Sequence, residues 1–328
     1  MADTTLDIIA MGDAIVDVIA SAEPEFLTHH NLPIGSMQLL TPEQADELYA
    51  AMGTAREMSG GSAANSMAGI AAMGGRAGFV GQVAEDQLGL IFEHDMHALD
   101  VRFETPPLVD GPPTGRCLIL VTPDGQRTMN TCPGASHELG IAALDPELIA
   151  SAAILFLEGY LWGPEKPRAA MLKAVEIAHA AGREVAFTLS ESVCIAGRKE
   201  GFARMIDGGG VDLLFANEDE ALQLTGRADP DAALAELAGK VDTLVVTRGA
   251  EGATAISHGE RISIPAAPVA QVVDTTGAGD LFAAGFLTAR AKRAPLERCL
   301  WTGALAAGEV ISHYGARPIA DLKALVKL

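Results

Sequence analysis

The sequence predicts an α/β fold in which a mostly parallel sheet lies between helices and a small second sheet stands beside it. Short apolar β-like runs alternate with segments of about 10–15 residues whose apolar positions recur at helical spacing, a pattern typical of βαβ units. A chain of 328 residues with 49% apolar residues can bury a large core on both faces of such a sheet. Two segments break the alternation and supply the second sheet.

The first elements lie in the N-terminal quarter of the chain. The run LDIIAMGDAIVDVIA is β-like. In TPEQADELYAAM, Thr41 serves as the N-cap of a helix, Pro42 occupies its first turn and Gln44 completes a capping box. The stretch GGSAANSMAGIAAMGG predicts a helix of small residues between glycine pairs, and the strand-like RAGFVGQVA follows it.

The rest of the chain continues the alternation. Further strands are predicted in AILFLEG, EVAFTLS, VDLLFAN and DTLVVTRG. Helices are predicted in KPRAAMLKAVEIAHAAG, RKEGFARMIDGG, DPDAALAELAGKV and DLFAAGFLTARAK. GATAISHGERISIPA predicts a hairpin at an edge of the main sheet.

The two irregular segments predict a lid. TGRCLILVTPDGQRTMNTCPG indicates a hairpin around the turn TPDG, and the earlier DVIASAEPEFLTHHNLPIGSMQLL is β-like and irregular. Paired as a small sheet, they could close over a site on the main sheet. We place the lid at about residues 16–40 and 102–133 of a single domain spanning residues 1–328, because no repeat, low-complexity tract or flexible linker divides the chain.

Charge and cysteine content narrow the class of protein. The formal net charge of −20 repels phosphate backbones, so nucleic acid is not an expected partner. The sequence shows neither a secretory signal nor an uncharged apolar run of about 18 residues, so no membrane segment is expected. The four cysteines lack zinc spacing. A bridge between Cys117 and Cys132 is conceivable, but reduced thiols and a cytoplasmic location are expected.

Several common catalytic motifs are absent. The Gly-Lys pair at Gly239 lacks the P-loop glycine, and GAGDLF lacks the last glycine of the dinucleotide fingerprint. HELGI lacks the second histidine of a zinc protease, and GGSAA is not a nucleophile elbow. The commonest NTPase, dehydrogenase, protease and hydrolase classes are therefore disfavoured.

The stretch VVDTTGAGDLFAAGF, Val272–Phe286, ends a glycine turn with a carboxylate at the start of a helix. Small Gly277, Ala278 and Gly279 would let an anion approach free backbone amides, where the helix dipole favours negative charge. Asp280 could then accept the proton of a hydroxyl that attacks a phosphate, although the helix N-terminus should lower its pKa. The alternative is that Asp280 only caps the helix.

The same stretch resembles the second signature of the PfkB, or ribokinase-like, carbohydrate and nucleoside kinases, and Gly60–Gly89 resembles the first. Between them, ANEDEA supplies the N-x-x-E element of the family as Asn217 and Glu220. The resemblance extends from about Leu6 to about Arg317 and implies a ribokinase-like three-layer α/β/α fold with a small β-sheet lid. It also implies a phosphotransferase that uses ATP and Mg²⁺ to phosphorylate an alcohol group.

The resemblance assigns roles to the motif residues. Asp280 would be the catalytic base, beside an anion hole formed by the three residues before it. Asn217 and Glu220 would help to place Mg²⁺ and the ATP phosphates, with Glu220 acting through water, since Mg²⁺ takes few direct protein ligands. Alone, these stretches could also be ordinary polar turns. The remaining implied roles are nucleotide contacts at Thr247, Gly249 and Gly252, and a monovalent cation such as K⁺ at Asp274 and Thr276.

The acceptor end of the site is expected at the first strand and the first signature. Asp13 and Asp17 in MGDAIVD follow an apolar strand, where a carboxylate can accept hydrogen bonds from two neighbouring sugar hydroxyls. The resemblance adds Gly61, Ser62 and Asn65 as ribose contacts, with Gly61 allowing close approach of its backbone. The structural alternative for GGSAAN is a helix start with Ser62 as its cap.

Within the family, several segments look most like the adenosine kinases. GDAIVDV resembles their first strand, with Asp13 where many carry Asn, and MQLLTPEQ resembles their lid segment, which would place Gln38, Leu39 and Leu40 at the base. The stretch from ILFLEG to SESV resembles their central part and includes Tyr160. A flat aromatic or aliphatic slot suits a purine. The implied reaction is transfer of the γ-phosphoryl group of ATP to the 5′-hydroxyl of adenosine, giving AMP for purine salvage.

Three alternatives stay open at this point. A sugar kinase of the same family would act on ribose, fructose or 2-keto-3-deoxygluconate, and for the sugar acid Arg116 and Arg127 of the hairpin could serve. A catalytically silent nucleotide-binding regulator would keep the fold without turnover, and an oxidoreductase would need the missing fingerprint. Monomers and homodimers both occur among relatives, so the oligomeric state is not predicted.

Overall fold

The computed structural model describes residues 4–327 as two sheets, with helices packed around the larger one. The strands are, in chain order, β1 (Leu6–Met11), β2 (Ile15–Ser21), β3 (Met37–Leu39), β4 (Arg56–Gly60), β5 (Ala77–Val80), β6 (Val101–Phe103), β7 (Gly115–Val121), β8 (Arg127–Cys132), β9 (Ala152–Glu158), β10 (Glu184–Thr188), β11 (Leu213–Asn217), β12 (Thr243–Thr247), β13 (Ala253–Ser257) and β14 (Glu260–Ile264). The α-helices are α1 (Pro24–His29), α2 (Pro42–Ala51), α3 (Ser62–Ala72), α4 (Gln87–Ala98), α5 (Pro146–Ala150), α6 (Glu165–Ala180), α7 (Ser192–Ile195), α8 (Lys199–Asp207), α9 (Glu218–Thr225), α10 (Pro230–Ala238), α11 (Ala278–Ala291), α12 (Leu296–Val310) and α13 (Leu322–Val326).

The larger sheet has nine strands in the order β14-β13-β12-β11-β10-β9-β1-β5-β6. The strands from β12 to β6 run parallel, and β13 with β14 adds the predicted antiparallel hairpin at one edge. The strand order reverses between β1 and β9. In open parallel sheets, ligands bind at the carboxyl ends of the strands beside such a reversal.

Helices cover both faces of the larger sheet, which makes three layers. On β1, Ile8 and Ala10 belong to one hydrophobic cluster and Ile9 and Met11 to another, because successive side chains of a strand point to opposite faces. The first cluster includes side chains of α3, α4, α11 and α12, and the second includes side chains of α6, α8, α9 and α10. The predicted three-layer α/β/α architecture is confirmed.

The smaller sheet has five strands in the order β3-β8-β7-β2-β4. It joins the two irregular segments, since β2 pairs with β7 and β3 pairs with β8. Its extent differs from the predicted lid in two places. β4 is an additional edge strand that REMSG does not indicate, because it lacks apolar alternation and is held extended by pairing with β2. β6 belongs to the larger sheet, where it pairs with β5.

Helix starts follow local side-chain chemistry. Thr41 caps α2 and forms the predicted capping box with Gln44. The N-cap of α3 is Gly61, with φ +90°, and Ser62 is the first residue of that helix, which leaves its hydroxyl for another partner. Among the helices of residues 4–327, none has the length and apolar character needed to cross a membrane.

The four cysteines are buried and free. Across the hairpin of β7 and β8, Cys117 pairs with Thr131 and Cys132 pairs with Arg116. The two cysteines are therefore one residue apart in register, so their side chains point to opposite faces of the smaller sheet. This geometry does not allow the bridge that the sequence left conceivable.

Candidate active site

A cavity of about 1030 Å³ lies where the carboxyl ends of the larger sheet meet the smaller sheet. Most of the residues predicted for the site line this cavity: Asp13, Asp17, Gln38, Leu39, Gly61, Ser62, Asn65, Tyr160, Asn217, Glu220, Thr247, Thr276, Gly277, Ala278, Gly279 and Asp280. The predicted residues outside its lining are Leu40, Gly249, Gly252 and Asp274.

The glycine turn before α11 has the form of an anion site. Gly277 is the N-cap of α11, with φ +78°, and a Cβ at this position would stand 2.8 Å from Ala316. Beside Gly279 the space is open, with no atom within 4 Å of where a Cβ would stand. Within the described chain, the amides of Gly279 and Asp280 donate no hydrogen bond. They are therefore free to bind an oxyanion at the positive end of the helix dipole.

The carboxylate of Asp280 is held by two donors from α3. Ser62 Oγ donates to Asp280 Oδ1 at 2.6 Å, and Asn65 Nδ2 donates to Oδ2 at 3.0 Å. Ser66 Oγ donates to the backbone carbonyl oxygen of Asp280 at 3.0 Å. These bonds fix the predicted base in one orientation. The polar atoms of Ser62 and Asn65, predicted as ribose contacts, are thus directed at the base.

Burial decides the acidity of Asp280. It raises the pKa of the carboxyl group, while the hydrogen bonds from Ser62 and Asn65 and the charge of Arg317 lower the pKa in part. The direction of this shift is opposite to the lowering expected at a helix N-terminus. A carboxylate with a raised pKa accepts a proton more readily, as a general base requires.

Asp17, on β2, is a second carboxylate in the cavity. Burial raises its pKa to about 6, the charges of Arg317 and Arg127 lower it, and the charge of Asp280 raises it. Gly60 makes room for this side chain, since a Cβ there would stand 2.5 Å from Asp17 Cγ. At neutral pH Asp17 is ionised and can accept hydrogen bonds from two hydroxyl groups.

Asp13 is engaged by protein groups. Its Oδ1 accepts a hydrogen bond from Ser136 Oγ at 2.8 Å, and burial raises its pKa, which the nearby charge of His137 lowers in part. A Cβ at Gly61 would stand 2.3 Å from the carbonyl oxygen of Asp13, so the glycine is required by this approach of two backbones.

Glu158, at the carboxyl end of β9, is a fully buried carboxyl group that the motifs do not indicate. Its Oε1 accepts from Asp13 N at 2.6 Å and its Oε2 from Ala63 N at 2.7 Å. It therefore ties the loop after β1 to the first turn of α3. Burial, together with the charge of Asp13, raises the pKa of Glu158 well above its ordinary value. The sequence could have indicated Glu158 by its position, because functional groups of α/β proteins often lie at the carboxyl end of a central parallel strand.

The smaller sheet presents an apolar face to the cavity. Ile15, Cys117 and Ile119 form a separate hydrophobic cluster on this sheet, and all three line the cavity. Leu39 lines it as well and is 64% exposed. Leu40, predicted at the base, packs against the main core, because consecutive residues of an extended segment point to opposite sides.

Gln38 is the polar group at this apolar face, and a neighbour sets its orientation. Asn130 Nδ2 donates to the carbonyl oxygens of Leu118 and Thr128, so Asn130 Oδ1 is turned toward Gln38. Gln38 Nε2 donates to this oxygen at 2.7 Å. Gln38 Oε1 accepts no hydrogen bond from the described residues and is left as an acceptor at the cavity.

Tyr160, just after β9, belongs to another wall of the cavity and packs partly buried against the second core cluster. Burial raises the pKa of the nearby Glu191 carboxyl group, and Tyr160 lowers that pKa in part. Burial raises the pKa of Tyr160 well above its ordinary value, so its hydroxyl stays protonated at neutral pH.

Asn217 and Glu220 form a reciprocal capping box at the start of α9. Asn217 N and Nδ2 donate to the two oxygens of Glu220 at 2.9 and 2.8 Å, and Glu220 N donates to Asn217 Oδ1 at 2.8 Å. Burial raises the pKa of Glu220 to about 7. Each oxygen of Glu220 keeps a further lone pair, so the residue fits a contact to Mg²⁺ through water.

The residues predicted at the nucleotide divide into two groups. Thr247, at the end of β12, lines the cavity. Gly249 and Gly252 lie in the turn between β12 and β13, outside the lining. Gly252 has φ +95°, and a Cβ there would stand 2.0 Å from the carbonyl oxygen of Ile264. The turn itself therefore requires this glycine.

The carboxylate of Asp274 does not fit a monovalent cation. Thr276 donates to Oδ1 from both its amide and its hydroxyl, Gly315 N donates to Oδ2 at 2.9 Å, and Arg127 forms an ion pair with Oδ2 at 3.0 Å. Three hydrogen bonds and the ion pair with Arg127 engage both oxygens of this carboxylate. The predicted cation role of Asp274 is therefore taken by the Arg127 guanidinium, which reaches across from the smaller sheet.

Comparison with known proteins agrees with this geometry. A solved adenosine kinase from Sinorhizobium meliloti is 45% identical, with TM-score 0.91 over 98% of each chain. A probable sugar kinase from Rhizobium etli CFN 42 is 42% identical, with TM-score 0.92 over 99% of this chain and 98% of that one. A ribokinase from Arabidopsis thaliana is 27% identical over 312 residues, which cover 88% of this chain and 76% of that protein.

A family model described as pfkB family carbohydrate kinase matches residues 29–322. Kinases of this family transfer a phosphoryl group from ATP, typically with Mg²⁺, to a hydroxyl group of a small molecule. The chain belongs to the pfkB family of carbohydrate kinases.

Proposed function

We propose that this chain phosphorylates the 5′-hydroxyl of adenosine with ATP and Mg²⁺, giving AMP. The observation that carries the proposal is that one cavity is lined both by the anion turn with Asp280 and by the apolar face of the smaller sheet. Ile15, Cys117 and Ile119 offer a slot for a flat base, which a free sugar would leave empty.

In this proposal Asp280 accepts the proton of the attacking hydroxyl, which Ser62 and Asn65 help by holding the carboxylate in place. The free amides of Gly279 and Asp280 stabilise the charge on the transferring phosphoryl group. Mg²⁺, when bound, neutralises part of the phosphate charge, and Asn217 and Glu220 would help to hold it through water. The transition state of phosphoryl transfer is loose, so orientation matters more than basicity.

The acceptor would be recognised at both its ends. Asp17 would accept hydrogen bonds from the two ribose hydroxyls. Gln38 Oε1, kept as an acceptor by Asn130, would accept from the exocyclic amino group of adenine. A base with a carbonyl oxygen at that position would place two acceptors against each other, so we expect discrimination against inosine.

The smaller sheet would act as the lid. It carries the apolar slot and reaches the glycine turn through Arg127 and Asp274. Closure would exclude water from the phosphoryl group and limit wasteful hydrolysis of ATP.

A sugar kinase is the alternative, since one similar structure is described as a probable sugar kinase. For a sugar acid, an arginine would be needed at the acceptor. Arg116 forms an ion pair with Asp46 and Arg127 with Asp274, and neither arginine lines the cavity. If the chain is a sugar kinase, the neutral sugars ribose and fructose are therefore better candidate acceptors than the sugar acid.

The test is ADP release from ATP and Mg²⁺ with adenosine, inosine, ribose, fructose and 2-keto-3-deoxygluconate. We expect turnover with adenosine and a loss of about 10²- to 10⁴-fold in kcat for Asp280→Asn, the usual contribution of a general base. Gln38→Ala should lower kcat/KM for adenosine and should reduce the ratio of this value to kcat/KM for inosine.

Turnover with a sugar alone would support Asp280 as the catalytic base. It would contradict the assignment of the apolar face to a nucleoside. ATP binding without turnover on any acceptor would favour the silent regulator and leave Asp280 with only its structural contacts to Ser62 and Asn65.

A further inference from the structure

A second cavity, of about 740 Å³, lies between α6, α8 and the turn after β9. Four cationic side chains and a single carboxylate line it: Arg168, Arg198, Lys199, Arg204 and Glu200. The chain as a whole has a net charge of −20, so this excess of positive charge is local. A cavity lined by one sign of charge concentrates small ions of the opposite sign.

Two of these cationic side chains have no hydrogen-bond or ion-pair partner among residues 4–327. Arg198 and Lys199 form neither an ion pair nor a side-chain hydrogen bond with any described residue. Arg168 donates one hydrogen bond, from Nη1 to the carbonyl oxygen of Gly163 at 3.2 Å. Arg204 lies 3.7 Å from Glu200, a pair exposed to solvent and therefore weak. Most of the donor capacity of the cavity is unused.

The indole of Trp162 supplies an independent indication of a ligand. Trp162 lines the cavity and is only 4% exposed, yet its N–H donates to no acceptor within residues 4–327. The indole nitrogen lies beside Gly201, 2.7 Å from where a Cβ would stand. The indole N–H is accessible and has no acceptor in the described chain, so this donor is available to a ligand in the cavity.

The start of α8 adds backbone donors to the same place. Its N-cap is Arg198, and no side chain caps it. The amides of Lys199 and Glu200 donate no hydrogen bond in the described chain, whereas those of Gly201 and Phe202 donate to the carbonyl of Arg198. Free amides at the positive end of a nine-residue helix favour an anion.

We propose that this second cavity binds a phosphate group, either as inorganic phosphate or as a phosphate monoester. Guanidinium groups match the oxygens of phosphate with paired hydrogen bonds, and Lys199, the indole N–H and the free amides of α8 would complete the contacts. Arg198 lines this cavity and the candidate active site as well, so an anion bound here would contact a residue of the reaction cavity. The proposal does not depend on which acceptor the kinase uses.

Trp162 gives the test a direct readout. The chain has two tryptophans, and Trp301→Phe leaves Trp162 as the only one. In that background, inorganic phosphate and ribose 5-phosphate are titrated at constant ionic strength against sodium chloride, and Trp162 fluorescence is followed. We expect a saturable change, with about tenfold weaker binding in Lys199→Ala and in Arg204→Ala, the loss of one charge-assisted hydrogen bond. Arg261→Ala, which removes a surface cation paired with Asp231, is the matched control.

The two ligands separate the possible sources of phosphate. A response to both, or to either one, that weakens in Lys199→Ala supports the site and identifies free phosphate, the ester or both as its ligand. A response that persists unchanged in Lys199→Ala and Arg204→Ala places binding elsewhere and overturns the proposal. A change no larger than that caused by chloride also overturns it. Thermal melting of each variant checks that the fold is intact.

Discussion

Arg317 is the cation that offsets the partly buried carboxylates Asp17 and Asp280 of the site. Its guanidinium donates to the carbonyl oxygens of Ala64 and Ser59 at 3.2 and 3.0 Å, which places it between the end of β4 and the first turn of α3. Burial lowers its pKa to about 10, so it remains charged at neutral pH. Its charge lowers the pKa of both Asp17 and Asp280.

Replacing Arg317 should therefore change the pH dependence of the reaction. Asp280 must be ionised to accept a proton, and its pKa rises when the positive charge is removed. The acid limb of kcat/KM in Arg317→Met should shift to higher pH, while Arg102→Met, which breaks a surface pair with Glu104, should leave it in place. An unshifted limb in Arg317→Met would contradict the electrostatic role.

Ionisation of Asp17 should lower the free energy of unfolding. Its pKa is raised from 3.8 to about 6, so the folded state holds this proton more tightly than the unfolded state. The penalty is absent below pH 3.8, grows as pH rises and is complete above pH 6, where it corresponds to about 3 kcal/mol.

Asp17→Asn should consequently be more stable than the wild type at pH 8, by up to about 3 kcal/mol, while losing affinity for the acceptor. Urea unfolding at pH 8 and at pH 4 measures this, and the gain should shrink at pH 4. An equal increase in unfolding free energy at both pH values would mean that ionisation of Asp17 is not the cause of the increase.

At the scale of elements, the site depends on how closely α3 packs on α11. A Cβ at Gly69 of α3 would stand 2.6 Å from Leu281 Cδ1 and 2.9 Å from Ala284 Cβ, both on α11. The absent side chain lets Ser62 and Asn65 on α3 reach the carboxylate of Asp280.

Gly69→Val should push these helices apart. We expect a loss of about 1–3 kcal/mol in unfolding free energy, as for other overpacked sites, and a fall in kcat as the donors leave Asp280. Gly285→Ala, whose Cβ would meet Thr302 on α12, should lose stability with much less effect on kcat. Equal kcat losses in both variants would show that stability alone accounts for the effect.

Elements that have a local sequence pattern are predicted from the sequence, whereas elements that depend on contacts with distant residues are missed. The turn at Gly277, the strand–helix alternation and the capping box at Thr41 are local patterns, and the structure has them in the predicted places. β4 exists because β2 pairs with it, and Glu158 is set by amides far along the chain. Thr276 is a local partner of Asp274, but Arg127 comes from the smaller sheet, and no local pattern could indicate that ion pair.

At the scale of the whole molecule, one ion pair joins the smaller sheet to the glycine turn. Arg127 and Asp274 are 3.0 Å apart, and their side chains are only 11% and 9% exposed. A largely buried pair of this kind is costly to break from one side, because the remaining charge is left uncompensated.

Arg127→Met should loosen the smaller sheet and raise KM for the acceptor. Hydrogen exchange of the β7–β8 amides should become faster, whereas a surface variant such as Lys166→Met, which breaks the exposed pair with Glu138, should leave it unchanged. Unaltered exchange in Arg127→Met would show that other contacts hold the two sheets together.

The order of the strands also bears on the behaviour of the chain at high concentration. The larger sheet ends in β6, which has three residues, and in β14, where Glu260 and Arg261 are exposed. The smaller sheet ends in β3, also three residues long, and in β4, which begins with exposed Arg56. Short and charged edges discourage another chain from adding a strand. We therefore expect concentrated folded protein to resist amyloid-like, edge-to-edge aggregation.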